Sequence, residues 1–340
     1  SERDQLSARR TDDLAARAAF FTVADAMKIA IPLGELAGRG ALPAARRLRL
    51  VDLGAGCGAM ALGAVVALAG EPAIAIDITA IDRDGPALTI ARAAITELAR
   101  RRGVAVTIAT RDDDVARGAL PPADLITMGT VLNELAPAAR LELVRRALAA
   151  LADDGALIII EPALRDTSRA LHELRDAVLA VGAAHVFAPC TRTIAPCPAL
   201  ADPSDWCHED RPLQLPRRTA ELARLTHLRD GGMKFAYLVL RKAPLGLVDD
   251  AAHAWRVVSA PMPAKGKLEV IGCNLAGRLP IRLLRRHRAA GNRGMERADR
   301  GDVLMIAGDA SADRLEVTAD TAVERRDCAA NDAAGARRPR

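Results

Sequence analysis

Between residues 51 and 58 the chain runs Val51-Asp52-Leu53-Gly54-Ala55-Gly56-Cys57-Gly58. The apolar run 48–53 ends in three alternate glycines, and an Ala-rich helical stretch over 59–69 follows. Glycines between a strand and a helix let the backbone turn sharply and come close to a ligand. The spacing Asp-x-Gly-x-Gly-x-Gly differs from the dinucleotide fingerprint Gly-x-Gly-x-x-Gly.

Outward from this turn, apolar runs predict strands over 73–81, 104–109, 123–128 and 156–160, with helices over 87–101 and 137–152 between them. Strands that alternate with helices and are apolar throughout form a parallel sheet covered on both faces. The fold class is therefore α/β and doubly wound. A helix over 167–181, a short strand over 185–187, a helix over 218–226 and a strong strand over 233–240 complete the core. The expected organisation is an N-terminal helical segment over 1–45, a core over 46–243 with a Cys-rich loop over 188–216, a small β-rich extension over 244–310, and a flexible tail over 311–340.

Half of the 340 residues are hydrophobic and 27% are charged, enough apolar surface for a large core. No apolar run reaches the length of a membrane span, and the charged start Ser1-Glu2-Arg3-Asp4 is unlike a secretory signal. The expected location is cytoplasmic, with no membrane partner. Only five of the 48 basic side chains are lysines and aromatics are 2%, which, with heavy Ala usage, is the signature of a GC-rich bacterial genome. A net charge of +5 permits an RNA partner without demanding one.

The glycine turn resembles motif I of the class I S-adenosylmethionine-dependent methyltransferases. That resemblance implies that Asp52, Gly54, Gly56 and Gly58 hold the methionine part of S-adenosylmethionine. Asp82, at the end of the second strand, would hold the ribose hydroxyls, since one carboxylate accepts both hydrogen bonds. The stretch Val131-Leu132-Asn133-Glu134-Leu135 after the fourth strand lacks the Pro-Pro-aromatic turn of base-amine methylases and has no nucleophilic Cys. Asn133 and Glu134 are either polar site groups or the start of the next helix. The catalytic residues, and methyl transfer itself, stay open, because fold does not supply the reaction.

Three of six cysteines crowd into one Pro-rich stretch: Cys190, Cys197 and Cys207. In a reducing cytosol such thiols point to a metal site rather than to disulfides. A fourth ligand is needed for tetrahedral zinc or for a cubane iron–sulfur cluster, and the candidates are His208 and Cys273. No Cys-x-x-Cys knuckle is present, which leans toward iron–sulfur.

Together, the methyltransferase-like core, Val131-Leu132-Asn133-Glu134-Leu135, the Ala188-Pro189-Cys190…Cys197-Pro198…Trp206-Cys207-His208 run and the late Cys273 resemble one family. It is the methyltransferase-like assembly factors of the small ribosomal subunit, found in mitochondria and bacteria. The resemblance covers about residues 15–308 and implies a 4Fe-4S cluster on Cys190, Cys197, Cys207 and Cys273, with the small subunit and its rRNA as partners. Glu209 stands where the family usually has Phe, and Thr191-Arg192-Thr193 where it has a His just after the first Cys. A cluster shared with Cys273 would clamp the extension onto the core, and metal binding would contribute to folding. Residues 278–300 carry eight arginines (Arg278, Arg282, Arg285, Arg286, Arg288, Arg293, Arg297 and Arg300) against Glu296 and Asp299. Beside the resemblance, this run is expected to meet an RNA backbone; no DNA partner is expected. The function expected is thus a small-subunit assembly or maturation factor. The alternative is an active methyltransferase of rRNA or a small molecule with a structural zinc.

Overall fold

The computed structural model describes residues 10–69, 75–212, 214–228, 232–307 and 313–327. Its N-terminal segment is helical: α1 (Arg10–Ala16), a π turn (Arg17–Phe21), α2 (Thr22–Ala26), a 3-10 turn (Met27–Ile29) and α3 (Ala30–Gly38). Pro32 sits in the first turn of α3, where its missing N–H has no intrahelical partner to lose.

The glycine turn follows the central strand of a doubly wound sheet. Its strands are β1 (Arg47–Leu53), β2 (Ala75–Asp82), β3 (Val106–Asp112), β4 (Ala123–Gly129), β5 (Leu151–Pro162), β6 (His185–Ala188), β7 (Glu209–Pro212) and β8 (Gly232–Arg241). The order is β3-β2-β1-β4-β5-β8-β6, with β7 also on β8. β1 to β5 pair in parallel, whereas β8 is antiparallel to β5, β6 and β7. Helices α4 (Ala59–Leu68), α5 (Gly85–Arg102), α6 (Pro137–Ala150), α7 (Arg165–Ala180) and α8 (Arg217–Thr226) connect them.

Side chains alternate between two apolar layers, as the pleat requires. In β5, Ala156, Ile158 and Ile160 pack on the layer holding α3, α4 and Ile95 of α5, while Leu157 and Ile159 pack against α6 and α7. The class I methyltransferase-like fold expected from the sequence is present. β1 is flanked by β2 on one side and β4 on the other, so connections leave in opposite directions and open a crevice at the strands' carboxyl ends.

The extension is a second sheet of β9 (Ala254–Val257), β10 (Met262–Ala264), β11 (Lys267–Asn274), β12 (Gly277–Leu284), β13 (Val303–Ile306), β14 (Leu315–Val317) and β15 (Val323–Arg326), with α9 (Arg293–Glu296) beside it. It has its own core around Trp255, Ile281 and Met295.

Two expectations need correction. The tail expected over 311–340 contains β14 and β15, because Leu315, Val317 and Val323 bury in the extension's core; residues 308–312 and 328–340, including Cys328, lie outside the described residues. The loop expected over 188–216 contains β7, whose inward residues are the ion-paired Glu209 and Arg211, so no apolar alternation marks it. Among the described residues, no helix is long and apolar enough to cross a membrane.

Candidate functional site

At the crevice, Gly54 (φ 66°), Gly56 (φ 51°) and Gly58 (φ 87°) all adopt the left-handed conformation that favours glycine. A Cβ at Gly54 would lie 2.4 Å from Val131 Cγ2, whereas one at Gly56 would meet nothing within 4 Å. The turn is thus tight against Val131, just past the end of β4, at its first glycine and open at its second. Gly54 N donates to Ile81 O (2.8 Å), and Gly56 N donates to Asp82 Oδ2 (2.8 Å). Asp82 Oδ1 accepts from Asp84 N at 2.9 Å, so this carboxylate ties the glycine turn to the start of α5.

Two adjoining cavities, about 250 and 110 Å³, share Gly54, Asp82, Thr130 and Glu134 as walls. Gly54, Gly56 and Asp82 line the larger cavity. Asp52 and Gly58 do not: Asp52 is buried beneath the turn, accepting from Thr127 Oγ1 (2.7 Å) and Ala61 N (3.2 Å). Burial pushes the Asp52 carboxyl up to about 7, against those hydrogen bonds. Gly58 instead admits α5, its notional Cβ lying 3.0 Å from Ala91 Cβ.

Glu134 is a wall of the crevice, on a 3-10 turn (Leu132–Glu134) ahead of α6. Thr130 holds φ 63°, a strained conformation for a β-branched residue. Its neighbours are fixed by Glu161, whose Oε1 accepts from Val131 N (3.0 Å) and Leu132 N (2.8 Å). With its amide oxygen and nitrogen exchanged, Asn133 donates to Glu161 Oε2 at 3.2 Å. Burial pushes Glu161 up to about 7. Sequence reasoning missed the opposite wall: Asp13, Arg17, Phe21, Thr22 and Asp25 come from the N-terminal helices.

The second site is a cavity lined by all four singled-out cysteines, Cys190, Cys197, Cys207 and Cys273. They come from the loop after β6, the segment before β7, and β11. The fourth thiol is that of Cys273 on the extension. One face of α7 holds the loop in place. Arg169 Nη1 donates to Asp202 O (2.7 Å) and Asp205 O (2.8 Å), and Arg175 Nη2 donates to Arg192 O (2.6 Å). His172 Nε2 accepts from Cys207 N (3.2 Å), and Asp176 Oδ2 accepts from Cys197 N (2.7 Å). This stripe, at helical spacing, was the available signal for which helix organises the thiols.

With nothing bound, Cys197, Cys207 and Cys273 are held as neutral thiols. Burial first, then neighbouring thiols, pushes Cys197 up to about 11 and Cys273 up to about 12, and Cys207 further still. Arg175, Arg192 and Arg278 line the same cavity, supplying positive charge to a thiolate set. The buried Nδ1 of His208 and Nε1 of Trp206 have no hydrogen-bond partner. Among the described residues no group of three or more His, Cys, Asp or Glu is placed to share a single metal ion. A cubane carries its irons at separate corners, so its four thiolates need not converge on one centre. Four cysteines, three guanidiniums and the unpartnered His208 Nδ1 at one cavity are the kind of donor chemistry such a group takes.

The arginines of 278–300 divide in two. Arg278 pairs with Asp205 beside the cysteines, Arg282 with Glu316, and Arg300 Nη1 donates to His208 O at 2.9 Å. Arg285, Arg286, Arg288, Arg293 and Arg297 are exposed, with Arg288 paired to Glu296 at 2.8 Å.

A family model described as mitochondrial small ribosomal subunit Rsm22 matches residues 28–305. The chain belongs to the Rsm22 family. No curated protein matches the chain. Solved structures with local likeness include the apo S-adenosylmethionine-dependent methyltransferase SibL, 27% identical over 34% of this chain and 31% of that one, with a TM-score of 0.27. An O-methyltransferase family 2 protein from Planctomyces limnophilus, with apigenin, is 19% identical over 64% of this chain and 62% of that one, TM-score 0.35. Magnesium protoporphyrin IX methyltransferase from Synechocystis, with bound S-adenosylmethionine, is 11% identical over 71% of this chain and 95% of that one, TM-score 0.41. These likenesses are too loose to bear on chemistry. The Rsm22 match begins at Lys28, so the helices that wall the crevice opposite β4 precede it. It takes in all four cysteines and the arginine segment.

Proposed function

We propose that this Rsm22 family member is an S-adenosylmethionine-binding assembly or maturation factor of the small ribosomal subunit, carrying a structural 4Fe-4S cluster and working in the cytoplasm. The observation that carries the reading is the meeting of Cys190, Cys197, Cys207 and Cys273 at one cavity between core and extension. Those four would hold the cluster, whose iron–thiolate bonds would join the loop to β11. Gly54, Gly56 and Asp82 would hold S-adenosylmethionine, an electrophilic methyl donor when bound, with Asp52 and Gly58 shaping the turn beneath it. The family name points to the small subunit, and the exposed Arg285, Arg286, Arg288, Arg293 and Arg297 suit an rRNA backbone.

Anaerobic purification with a visible spectrum and iron, sulfide and zinc analysis tests this. The expected protein is brown, with about four irons per chain, and co-sediments with small subunits. A colourless protein with one zinc would overturn the cluster and favour the second reading, an active methyltransferase of rRNA or a small molecule. One observation favours that second reading: a cavity of about 290 Å³ lined by Asn133, Arg140, Glu161 and Asp166, sharing the turn after β4 with the crevice. Transfer of labelled methyl from S-adenosylmethionine to immature small subunits would establish it.

A further inference from the structure

The larger crevice cavity has an uneven charge pattern. Its described lining holds four carboxylates, Asp13, Asp25, Asp82 and Glu134, and a single guanidinium, Arg17. Asp82 is committed to the glycine turn and its ribose side, while Asp13, Arg17 and Asp25 all stand on the N-terminal helices across from that turn. Arg17 is held there without being consumed. Its Nη2 donates to Asp84 Oδ2 (2.6 Å) and its Nε pairs with Asp13 Oδ2 (3.2 Å), yet its side chain keeps 34% of its surface exposed. Arg83 lies on the adjoining cavity, 80% exposed, and faces Glu134 at 3.6 Å.

A wall with one guanidinium among carboxylates complements a ligand end that bears both an ammonium and a carboxylate. Charge-assisted pairing is strong for each, and Arg offers a planar fork that fits a carboxylate.

We propose that the N-terminal helices complete the cofactor site by binding the amino-acid end of S-adenosylmethionine, with Arg17 taking its carboxylate and Asp13 its ammonium; Asp25 is already paired with Lys28 at 2.8 Å. This rests on the cofactor reading above and extends it to residues that precede the family match. The assignment makes Arg17 a specificity residue for ligands that carry the amino acid.

The test is calorimetric titration of the full chain with two ligands. S-Adenosylhomocysteine has the amino-acid end, and 5′-methylthioadenosine has the adenosine and thioether without it. Arg17→Ala is expected to weaken S-adenosylhomocysteine about 10- to 100-fold and methylthioadenosine by less than about 2-fold. Arg17→Lys should recover part of the loss. Asp84→Asn, which breaks the Arg17–Asp84 contact but keeps a capping side chain at α5, should leave the ratio of the two affinities unchanged. If Arg17→Ala weakens both ligands equally, or neither, the Arg17 assignment fails while the cofactor reading stands. Asp84→Asn reproducing the full Arg17→Ala effect would also overturn it, making Arg17 a structural latch. A wild-type chain that binds neither ligand overturns the cofactor reading, and this assignment with it.

Discussion

Arg256 on β9 reaches Glu35 on α3 with Nη1 2.7 Å from Oε1, and both side chains are almost wholly buried. Its Nη2 lies 2.9 Å from Glu209 Oε1 on β7 and 2.9 Å from Tyr237 Oη on β8; Tyr237 in turn donates to Glu35 Oε2 at 2.7 Å. One guanidinium thus joins the extension, the N-terminal helices and the core sheet. Burial pushes Glu35 up against the pull of Arg256, while in Glu209 the pull of Arg256 and Arg211 overcomes burial and holds the carboxyl down. Replacing Arg256 by Ala removes the guanidinium from buried Glu35 and leaves Glu209 to Arg211. We expect a loss of about 3–5 kcal/mol in urea unfolding. A change below about 1 kcal/mol would mean that the junction does not depend on this network.

The same logic makes the fold sensitive to pH at Asp52. An acid raised in the folded state binds more protons folded than unfolded between about pH 4 and its raised value. For Asp52 that value is about 7, and Glu161 shifts the same way to about 7. Stability should therefore fall as pH rises through this window, by at most ~1.4 kcal/mol per pH unit for each group. Asp52→Asn should flatten the melting temperature between pH 5 and 8 relative to wild type. An unchanged slope would show that Asp52 titrates normally.

Gly63 on α4 packs closely against the N-terminal helices. A Cβ there would lie 2.0 Å from Ala26 O and 2.6 Å from Ile29 Cγ2, so α2 and α4 must separate to admit it. Gly63→Ala should cost about 1–3 kcal/mol as overpacking. Because α1, α2 and the π turn between them wall the crevice, it should also weaken S-adenosylhomocysteine in titration. Lowered stability with unchanged affinity would separate the helices from the cofactor site.

Arg285 and Arg286 lie exposed on a 3-10 turn (Arg285–His287) of the extension. If they contact phosphates, the Arg285→Gln, Arg286→Gln double variant keeps its fold but loses about 1.4–1.8 from the slope of log affinity against log salt. Filter binding of small-subunit rRNA at several salt concentrations reads this directly. An identical slope would place the RNA contact elsewhere on the chain.

The doubly wound core was legible because its signals are local. Apolar runs of strand length, helices between them and three alternate glycines each need only short-range backbone geometry. The crowding of Cys190, Cys197 and Cys207 was legible for the same reason. β7 was not, because Glu209 and Arg211 are tolerated inside only through partners far away in sequence. β14 and β15 were hidden in polar sequence, where a few apolar residues suffice once an existing sheet edge accepts them. Asp52 shows the limit on the site itself: the resemblance implied a cofactor residue, and the structure buries it as a brace between β4 and α4.

What the amino-acid sequence determined alone is the class of fold, the place of the glycine turn at a strand end, and which residues are candidates for a cofactor and for a metal. The tertiary structure decided which of them face the same space. Cys273 meets three thiols from 66 or more residues earlier, and Arg17 faces a turn that begins at Gly54. Short-range pattern records how the backbone is built; the meeting of distant side chains depends on how whole layers pack, and no local spacing encodes that.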